Sequence, residues 1–564
     1  MRRIASVAAA AIAILAGAAQ AEQKVLRVPY LIAETNFDPA FVSDLYSNNV
    51  IEEILESPLT YDFLARPAKL KPQTLEALPE ITDEGRTYTL HLKKGIYFAD
   101  DPAFGGKKRE LTAADYEFAF KRLMDPKISS PNLWLIDGRV AGIPEAVAKA
   151  KKDGHFDYDA PVAGLEVLDR YTLRIRLLKP DYNFLYILAM DTLGAQAREV
   201  VEKYGNDIGA HPVGTGAFRL AEWKRSARIV LVKNENFRET YYEAEPPADD
   251  PVSQRLYAEM KGKRIPQIDR VEAYVIEESQ PRWLAFLNKE LDWINLPYEF
   301  LNMVLPRGEE APWAVKRGIR HIQDVDPDLT YLYWNMKDPV FGGYTPDKVA
   351  LRRAVAYGYN IHEEIDLIRN GTAIEAQTPV PPGVVGFEPG FSLGESYDPA
   401  KAKALLKDAG VATPLGLRLI LPPVPYARQG GEIIAAELAE VGVEAKIENV
   451  EWAQWLDGVY AKKNYDLTII SHVEPLDIGI YANPSYYYQY DSQAFRDIIA
   501  KLDAAKDIDE FKTDIGEAQR KLADDCVNAF LFQLANVTVA DAKLKGLWTN
   551  APIFVNDLSA LSWQ

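Results

Sequence analysis

Alternating apolar and polar positions predict strands in the first part of the chain. Residues 25–30 (VLRVPY) predict an opening strand. Residues 87–92 (TYTLHL) alternate in the way that a half-buried strand does, with one side chain in two facing a core. A sheet therefore begins within the first hundred residues.

Helix signals follow the second of these strands. In LTAADYEFAFKRLMDP, Thr112 is placed to cap a helix with Asp115 three residues on, and Pro126 ends it. Farther along, YDPAKAKALLKDAG carries Asp398 at the N-cap position, a proline in the first turn and Gly410 past the end. Both stretches predict amphipathic helices with defined ends.

Helices and strands continue to alternate toward the C-terminus. Strands are predicted from Val443 and over residues 467–470, and long helical patterns run over residues 495–531. This alternation predicts an α/β fold. Residues 243–261 are acidic and rich in proline, and they predict an inserted surface loop.

The stretch HPVGTGAFRL, residues 211–220, resembles a phosphate-binding loop at first sight. Such a loop requires a Lys-Ser/Thr pair and a helix after its glycines, whereas Gly216 is followed by two strand-like runs. The pattern instead predicts a hairpin, preceded by a turn that needs glycine dihedral angles.

Composition narrows the class of protein. The first residues, MRRIASVAAAAIAILAGAAQA, predict a secretory signal peptide cut after Ala21. No later apolar run of about 18 residues occurs, so we expect the mature chain to be soluble. Domains have about 150 residues on average, so a chain of this length is expected to form three or four of them. The formal net charge of −18 argues against nucleic acid and anionic membrane as partners.

The search for catalytic chemistry finds no motif. The six histidines form no metal-ligand spacing, and no G-x-S-x-G nucleophile elbow occurs. The single cysteine, Cys526, lies among apolar residues and is predicted to be a buried core thiol. We therefore expect no metal, no cofactor and no catalytic residue. A pair of glycosidase carboxylates stays an open alternative, because the two residues need not be close in sequence.

Several stretches resemble one known family in their order along the chain. HPVGTGAFRLAEWKRSARIVLVKNENF is similar to the signature of the bacterial family 5 solute-binding proteins, the periplasmic receptors of peptide, nickel and opine ABC importers. LRRAVAYGYNIHEEIDLIRNGTA resembles the family's R-x-A-x-x-x-x-x-D helix pair, with Asn360 in place of the aspartate. YDPAKAKALLKDAG and AELAEVGVEAKIENVEWAQWLDGVYAKKNYDLTIIS resemble its later segments.

The resemblance implies two lobes hinged around a ligand, the large type II periplasmic binding fold with an extra inserted domain. It places the signal peptide at 1–21, the first lobe at 22–63, 209–301 and 532–564, the inserted domain at 64–208 and the second lobe at 302–531. It implies a monomeric, non-catalytic receptor that closes over a small solute and delivers it to a membrane permease.

One departure bears on the ligand. Peptide-binding members carry Gly-Trp after the YDL strand and then an aspartate that holds the peptide's amino terminus, whereas this chain has residues 471–477, SHVEPLD. Glu474 or Asp477 can take that acidic role, which predicts a peptide or related amine-bearing ligand. For an aromatic cleft wall we expect four further residues, with core packing as the alternative for each: Tyr46, Trp452, Trp455 and Tyr481.

Two other classes of protein stay open at this point. A periplasmic hydrolase of peptides or sugar-linked compounds is disfavoured by the missing nucleophile and metal motifs. A chaperone or scaffold would bind no small molecule saturably.

Overall fold

The computed structural model describes residues 23–65, 69–325, 329–369, 371–380, 386–388, 391, 396–472, 477–505, 508–547 and 558–564. The predicted signal peptide, residues 1–21, lies outside the described residues. None of the described helices is long and apolar enough to cross a membrane.

Strands occur along the whole described chain. In chain order they are β1 (Val25–Tyr30), β2 (Leu59–Asp62), β3 (Lys69–Pro72), β4 (Glu80–Thr82), β5 (Thr87–His91), β6 (Leu165–Asp169), β7 (Thr172–Arg176), β8 (Phe218–Lys224), β9 (Arg228–Lys233), β10 (Thr240–Tyr241), β11 (Arg264–Ile265), β12 (Arg270–Val275), β13 (Trp293–Asn295), β14 (Ile319–Val325), β15 (Leu329–Trp334), β16 (Ile374–Glu375), β17 (Leu415–Leu421), β18 (Val443–Asn449), β19 (Leu467–His472), β20 (Asn528–Gln533), β21 (Ala535–Asp541), β22 (Leu544–Lys545) and β23 (Ser562–Trp563).

Helices alternate with these strands, as predicted for an α/β fold. They are α1 (Leu45–Ile54), α2 (Ala113–Leu123), α3 (Ile143–Asp153), α4 (Phe184–Ile187), α5 (Arg198–Tyr204), α6 (Pro251–Met260), α7 (Ser279–Leu287), α8 (Leu301–Val304), α9 (Pro312–Lys316), α10 (Pro346–Tyr357), α11 (Ile361–Leu367), α12 (Pro399–Asp408), α13 (Pro425–Glu440), α14 (Trp452–Trp455), α15 (Gln493–Asp503) and α16 (Ile508–Asp525).

The locally predicted elements are confirmed except at the end of the helical stretch 495–531, where α16 ends at Asp525 and β20 begins at Asn528. Capping contacts explain where two of the helices begin. The carboxylate of Asp115 accepts the backbone N–H of Thr112 at 2.7 Å, so α2 begins where the capping pattern predicted. Asp398 caps α12 by accepting the backbone N–H of Lys401 at 2.9 Å. Strands β8 and β9 form the predicted antiparallel hairpin.

Two predictions were wrong in detail. Gly214 and Gly216 do not adopt left-handed dihedral angles; a Cβ on Gly214 would lie 2.0 Å from the carbonyl oxygen of Ile54, so the glycine is needed for close approach. The acidic stretch 243–261 is not only a loop, because it contains α6. That helix buries Leu256 and Met260 in a small core of its own.

Four sheets carry most of the fold. The sheet β1-β12-β9-β8 combines the first strand with three strands from residues 218–275. The sheet β4-β5-β7-β6 is formed by residues 80–176, which lie between β1 and β8 in sequence. A three-stranded sheet, β13-β21-β14, and a six-stranded sheet, β16-β20-β15-β19-β17-β18, follow. The six-stranded sheet and its helices enclose a separate core of residues between Leu329 and Phe532.

The chain passes twice between the last two sheets. The first passage leads from the end of β14 at Val325 to the start of β15 at Leu329. The second leads from Gln533, the end of β20, to Ala535, the start of β21. Two neighbouring connections of this kind have the geometry of a hinge.

Buried polar contacts join the region 64–208 to the preceding and following segments of the chain. Arg122 of α2 pairs with the buried carboxylate of Asp38 at 2.6 Å. Arg238, which pairs with the buried carboxylate of Glu56 at 2.7 Å, also donates to the carbonyl oxygen of Gln73 at 3.2 Å. These contacts connect the region to the part of the chain that carries the first sheet.

Candidate functional site

The strand directions of the six-stranded sheet define its functional edge. Strands β15 and β19 are antiparallel, with Leu329 opposite His472, so β19 ends where β15 enters from the other sheet. Strands β17 and β18 run parallel to β19 and end on the same side. We call this side the crossing edge; it is defined by Leu329, Leu421, Asn449 and His472. In open α/β sheets ligands bind outside the carboxyl ends of such strands.

His472 lies at this edge within a group of tyrosine rings. Its Nε2 is 2.8 Å from the hydroxyl oxygen of Tyr487. Ring centroids of Tyr331, Tyr333 and Tyr486 lie 5.6, 5.4 and 6.2 Å from the imidazole. The sequence analysis missed this cluster, although the alternation of Tyr331 and Tyr333 on β15 and the run SYYYQY at 485–490 were visible signals.

Of the predicted wall residues, Trp452 is the exposed one at the crossing edge. It begins α14 directly after β18, and its side chain is 44% exposed. Its ring stacks on that of Trp455 at a centroid distance of 5.3 Å and an interplanar angle of 5°. Trp455 is buried and donates Nε1–H to Thr468 Oγ1 at 3.0 Å, so it supports Trp452 from the core.

Tyr481 lies deeper in the same core. It is buried, stacks on Tyr488 at 4.8 Å and donates its hydroxyl to Asn528 Oδ1 at 2.8 Å. Asn528 is the first residue of β20, and the last residue of that strand, Gln533, lies beside the second passage. Five residues of strand therefore separate Tyr481 from the crossing edge, a distance of roughly 16 Å at 3.3 Å per residue. Core packing accounts for the contacts of both Trp455 and Tyr481.

Tyr46 lies in the first turn of α1 and packs against the core beside the first sheet. Its ring lies 5.0 Å from that of Tyr30, the last residue of β1, and burial raises the pKa of its hydroxyl while nearby Arg282 opposes the rise. Arg282 donates to the carbonyl oxygen of Ile276 at 2.7 Å, just past β12. Since β1 and β12 are parallel, Tyr46 lies at the carboxyl ends of both strands.

The predicted acidic anchor is only partly described. Glu474 lies outside the described residues. Asp477 begins a 3₁₀-helical segment, Asp477–Ala482, but its side chain lies outside the described part of the chain. The role of both acids therefore stays a prediction.

Exposed apolar residues near α1 were missed by the sequence analysis. Ile32, Phe41 and Trp134 are 64%, 52% and 63% exposed. Asn132 donates to the carbonyl oxygen of Val42 at 2.7 Å, which brings the segment of Trp134 beside that of Phe41. No local sequence signal marks them, because exposure of a large side chain is decided by tertiary packing.

The described residues contain no group of three or more His, Cys, Asp or Glu side chains arranged to hold a metal ion. What the crossing edge offers instead is aromatic surface, hydroxyl groups and one imidazole. That chemistry suits binding of an organic solute.

Comparison with known proteins identifies the family. Residues 69–494 match bacterial extracellular solute-binding proteins, family 5 Middle. The Dipeptide-binding protein of Escherichia coli is 28% identical over 431 residues, which cover 72% of this chain and 70% of the relative. Heme-binding protein A of Haemophilus influenzae is 25% identical over 433 residues, covering 75% and 70%.

Solved structures agree on the fold. A periplasmic binding protein of Helicobacter pylori in complex with the peptide STSA superposes with a TM-score of 0.67 at 22% identity, covering 96% of this chain and 98% of the other. HbpA2 from Haemophilus parasuis gives a TM-score of 0.75 at 19% identity, covering 96% and 100%. The chain therefore belongs to family 5 of the bacterial extracellular solute-binding proteins.

Proposed function

We propose that the protein is the periplasmic receptor of an ABC importer that captures a peptide or related amine-bearing solute and delivers it to a permease. The observation that carries the proposal is the paired passage between two sheets beside an edge where Trp452 presents a half-exposed ring next to a largely buried group of tyrosines. A hinge next to a binding surface is what capture by closure requires.

The two passages also set the lobe boundaries that we propose. The second lobe extends from the first passage, after Val325, to the second passage, after Gln533. Leu301 and Val304 pack with Trp283 and Val539, which supports a start of the second lobe later than the predicted residue 302. Gln323 donates to the carbonyl oxygen of Thr372 at 3.4 Å and adds a weak contact across the first passage.

The names of relatives support a peptide as the ligand. The Escherichia coli relative and a Pseudomonas aeruginosa relative, 26% identical over 471 residues, are named for binding dipeptides and di/tripeptides. A ligand with an amino terminus fits the acids Glu474 and Asp477 after β19. Membership in a solute-binding family favours a monomeric, non-catalytic receptor over the hydrolase alternative.

The test uses the purified mature chain and a library of dipeptides and tripeptides with free termini. Native mass spectrometry is expected to show one peptide bound per protein, with saturation and with the peptide mass unchanged after long incubation. Absence of any bound peptide would overturn the peptide assignment, and cleavage products would overturn the receptor assignment.

A further inference from the structure

The last two long helices of the second lobe form an antiparallel pair. Lys501 near the end of α15 pairs with Glu517 of α16 at 3.3 Å. Tyr490, just before α15, donates its hydroxyl to Asp525 at the end of α16 at 2.6 Å. Because β20 begins shortly after Asp525, this end of the pair lies at the edge of the six-stranded sheet opposite the crossing edge.

Helix α15 therefore points toward the first lobe. It runs from the opposite edge back over 11 residues, roughly 16 Å at 1.5 Å per residue, toward the side of the crossing edge. Its last residue is Asp503, whose side chain is exposed and forms no ion pair with another described residue. An unpaired carboxylate is thus placed on the side where the second lobe faces the first.

The charges that act on Asp503 come from the region 64–208. Desolvation by the surrounding protein raises the pKa of Asp503, the negative charge of Asp181 adds to the rise, and the positive charges of Arg139 and Lys179 oppose it. A side chain that is open to water, desolvated and subject to charges from a distant part of the chain lies in a gap between two parts of the protein. The end of α15 therefore faces the region 64–208 across such a gap.

The two cations on the far side of the gap differ in their contacts. Arg139 pairs with Asp181 at 2.5 Å, and its carbonyl oxygen accepts the backbone N–H of Leu178 at 2.7 Å, so this part of the surface is fixed. Lys179 follows Leu178, is exposed and forms no ion pair within the described part of the chain. Lys179 and Asp503 are therefore opposite charges on two lobes, and neither is neutralised by a close neighbour.

Closure of the lobes about the passages at residues 325–329 and 533–535 narrows a gap of this kind. We propose that Asp503 and Lys179 form an ion pair when the lobes close over the ligand, and that this pair slows reopening. The inference rests on the proposed function and adds to it a determinant of how long the ligand is held. The pair acts through the closed state and needs no contact with the ligand.

The experiment measures how fast a peptide is released, by stopped-flow displacement of the tightest binder from a library of free dipeptides and tripeptides. Asp503→Asn and Lys179→Met are each expected to release it about two- to fivefold faster than the wild type at low ionic strength, the range that exposed ion pairs give. The double variant is expected to release it no faster than the faster single variant, because both changes remove one interaction. At high ionic strength all four proteins are expected to converge, since salt screens the pair.

The matched control is Asp497→Asn, which changes another exposed acid of α15, whose carboxylate accepts the side-chain amide of Gln493 at 2.8 Å. It is expected to release the peptide as the wild type does, and melting temperatures identify any variant that fails to fold. Release at the wild-type rate from folded Asp503→Asn, or effects of the two changes that add in the double variant, would overturn the ion pair while the receptor stands. If the wild type binds no peptide of the library, the proposed function fails and the ion pair with it.

Discussion

Gly214 lies so close to Ile54 that a methyl group cannot be accommodated between them: an added Cβ would be 2.0 Å from the Ile54 carbonyl oxygen. Gly216 is in the same situation, with a Cβ 2.6 Å from the carbonyl oxygen of Glu53. The two glycines therefore allow the backbone of the signature loop to pack directly against the backbone at the end of α1.

Replacing Gly214 by alanine is expected to lower the free energy of unfolding by about 1–3 kcal/mol or more, because the backbone of α1 must move to admit the methyl group. Urea denaturation of the variant measures this. Gly416→Ala is the matched control, since its Cβ would meet no atom within 4 Å. Equal loss in the two variants would contradict the packing role.

Arg352 of the R-x-A pattern is fully buried and holds the end of α16. Its Nε donates to the carbonyl oxygen of Cys526 at 2.8 Å, one Nη donates to that of Asp525 at 2.7 Å and the other donates to that of Gly343 at 2.9 Å. Desolvation lowers the pKa of this guanidinium. The signature arginine therefore joins α10, α16 and the segment after β15.

We expect Arg352→Lys to lower the free energy of unfolding by about 3 kcal/mol or more, since one ammonium cannot satisfy carbonyl groups that a fork reaches on different sides. Arg496→Met, at an exposed ion pair, is expected to cost less than about 1 kcal/mol. Thermal and chemical unfolding of both variants measure these losses. A loss of unfolding free energy in Arg352→Lys no larger than that in Arg496→Met would contradict the structural role of Arg352.

Trp452 and Trp455 should respond oppositely to truncation. Trp452→Ala removes an exposed ring and is expected to weaken ligand binding with little change in melting temperature. Trp455→Ala removes a buried ring and its bond to Thr468, so a loss of about 3–5 kcal/mol in unfolding free energy is expected. Calorimetry with the tightest-binding peptide and thermal unfolding are the measurements. Unfolding of Trp452→Ala would favour core packing for that ring as well.

Asp292 makes stability depend on pH. It is buried, and desolvation raises its pKa to about 6, although it accepts the backbone N–H of Arg27 at 2.6 Å. The unfolded chain releases this proton near pH 4, so between these values the folded state binds more protons. Its contribution to stability is therefore greatest at low pH and declines as pH rises from about 4 to about 6.

The Asp292→Asn variant should lack this decline. Urea denaturation at a series of pH values from 4 to 7 is expected to show the difference in unfolding free energy between wild type and variant changing by about 1–3 kcal/mol across that range. A difference that stays constant with pH would show that Asp292 has an ordinary pKa.

The acids after β19 give a prediction about the ligand's amine. Glu474→Gln and Asp477→Asn are to be compared with the wild type by isothermal calorimetry, and at least one should lose roughly tenfold or more in affinity, as a charge-assisted hydrogen bond implies. Unchanged affinity in both variants would place the amine anchor elsewhere and remove the argument for an amine-bearing ligand.

Local pattern was sufficient for much of the fold. The alternation over Val25–Tyr30 and Thr87–His91 and the caps at Thr112 and Asp398 depend on neighbours in sequence, so they could be predicted. The alternation of helices and strands predicted the α/β class, and the family's order of motifs predicted the binding-protein fold. These features can be predicted without knowing which residues distant in sequence come into contact.

The errors arose where distant contacts decide. The stretch 243–261 contains α6 because Leu256 and Met260 find a core with Phe63 and Ala560, far away in sequence. Trp452 and Trp455 lie one turn apart, but Trp455 is buried against Thr468 of β19 and Tyr487 while Trp452 is 44% exposed.

Small-angle X-ray scattering during a peptide titration measures whether the two lobes close over a bound peptide. If they do, the radius of gyration falls saturably to a smaller value at one peptide per protein, and the peptide is recovered intact. A radius of gyration that stays constant while peptide binds, or peptide that is consumed, would contradict capture by closure.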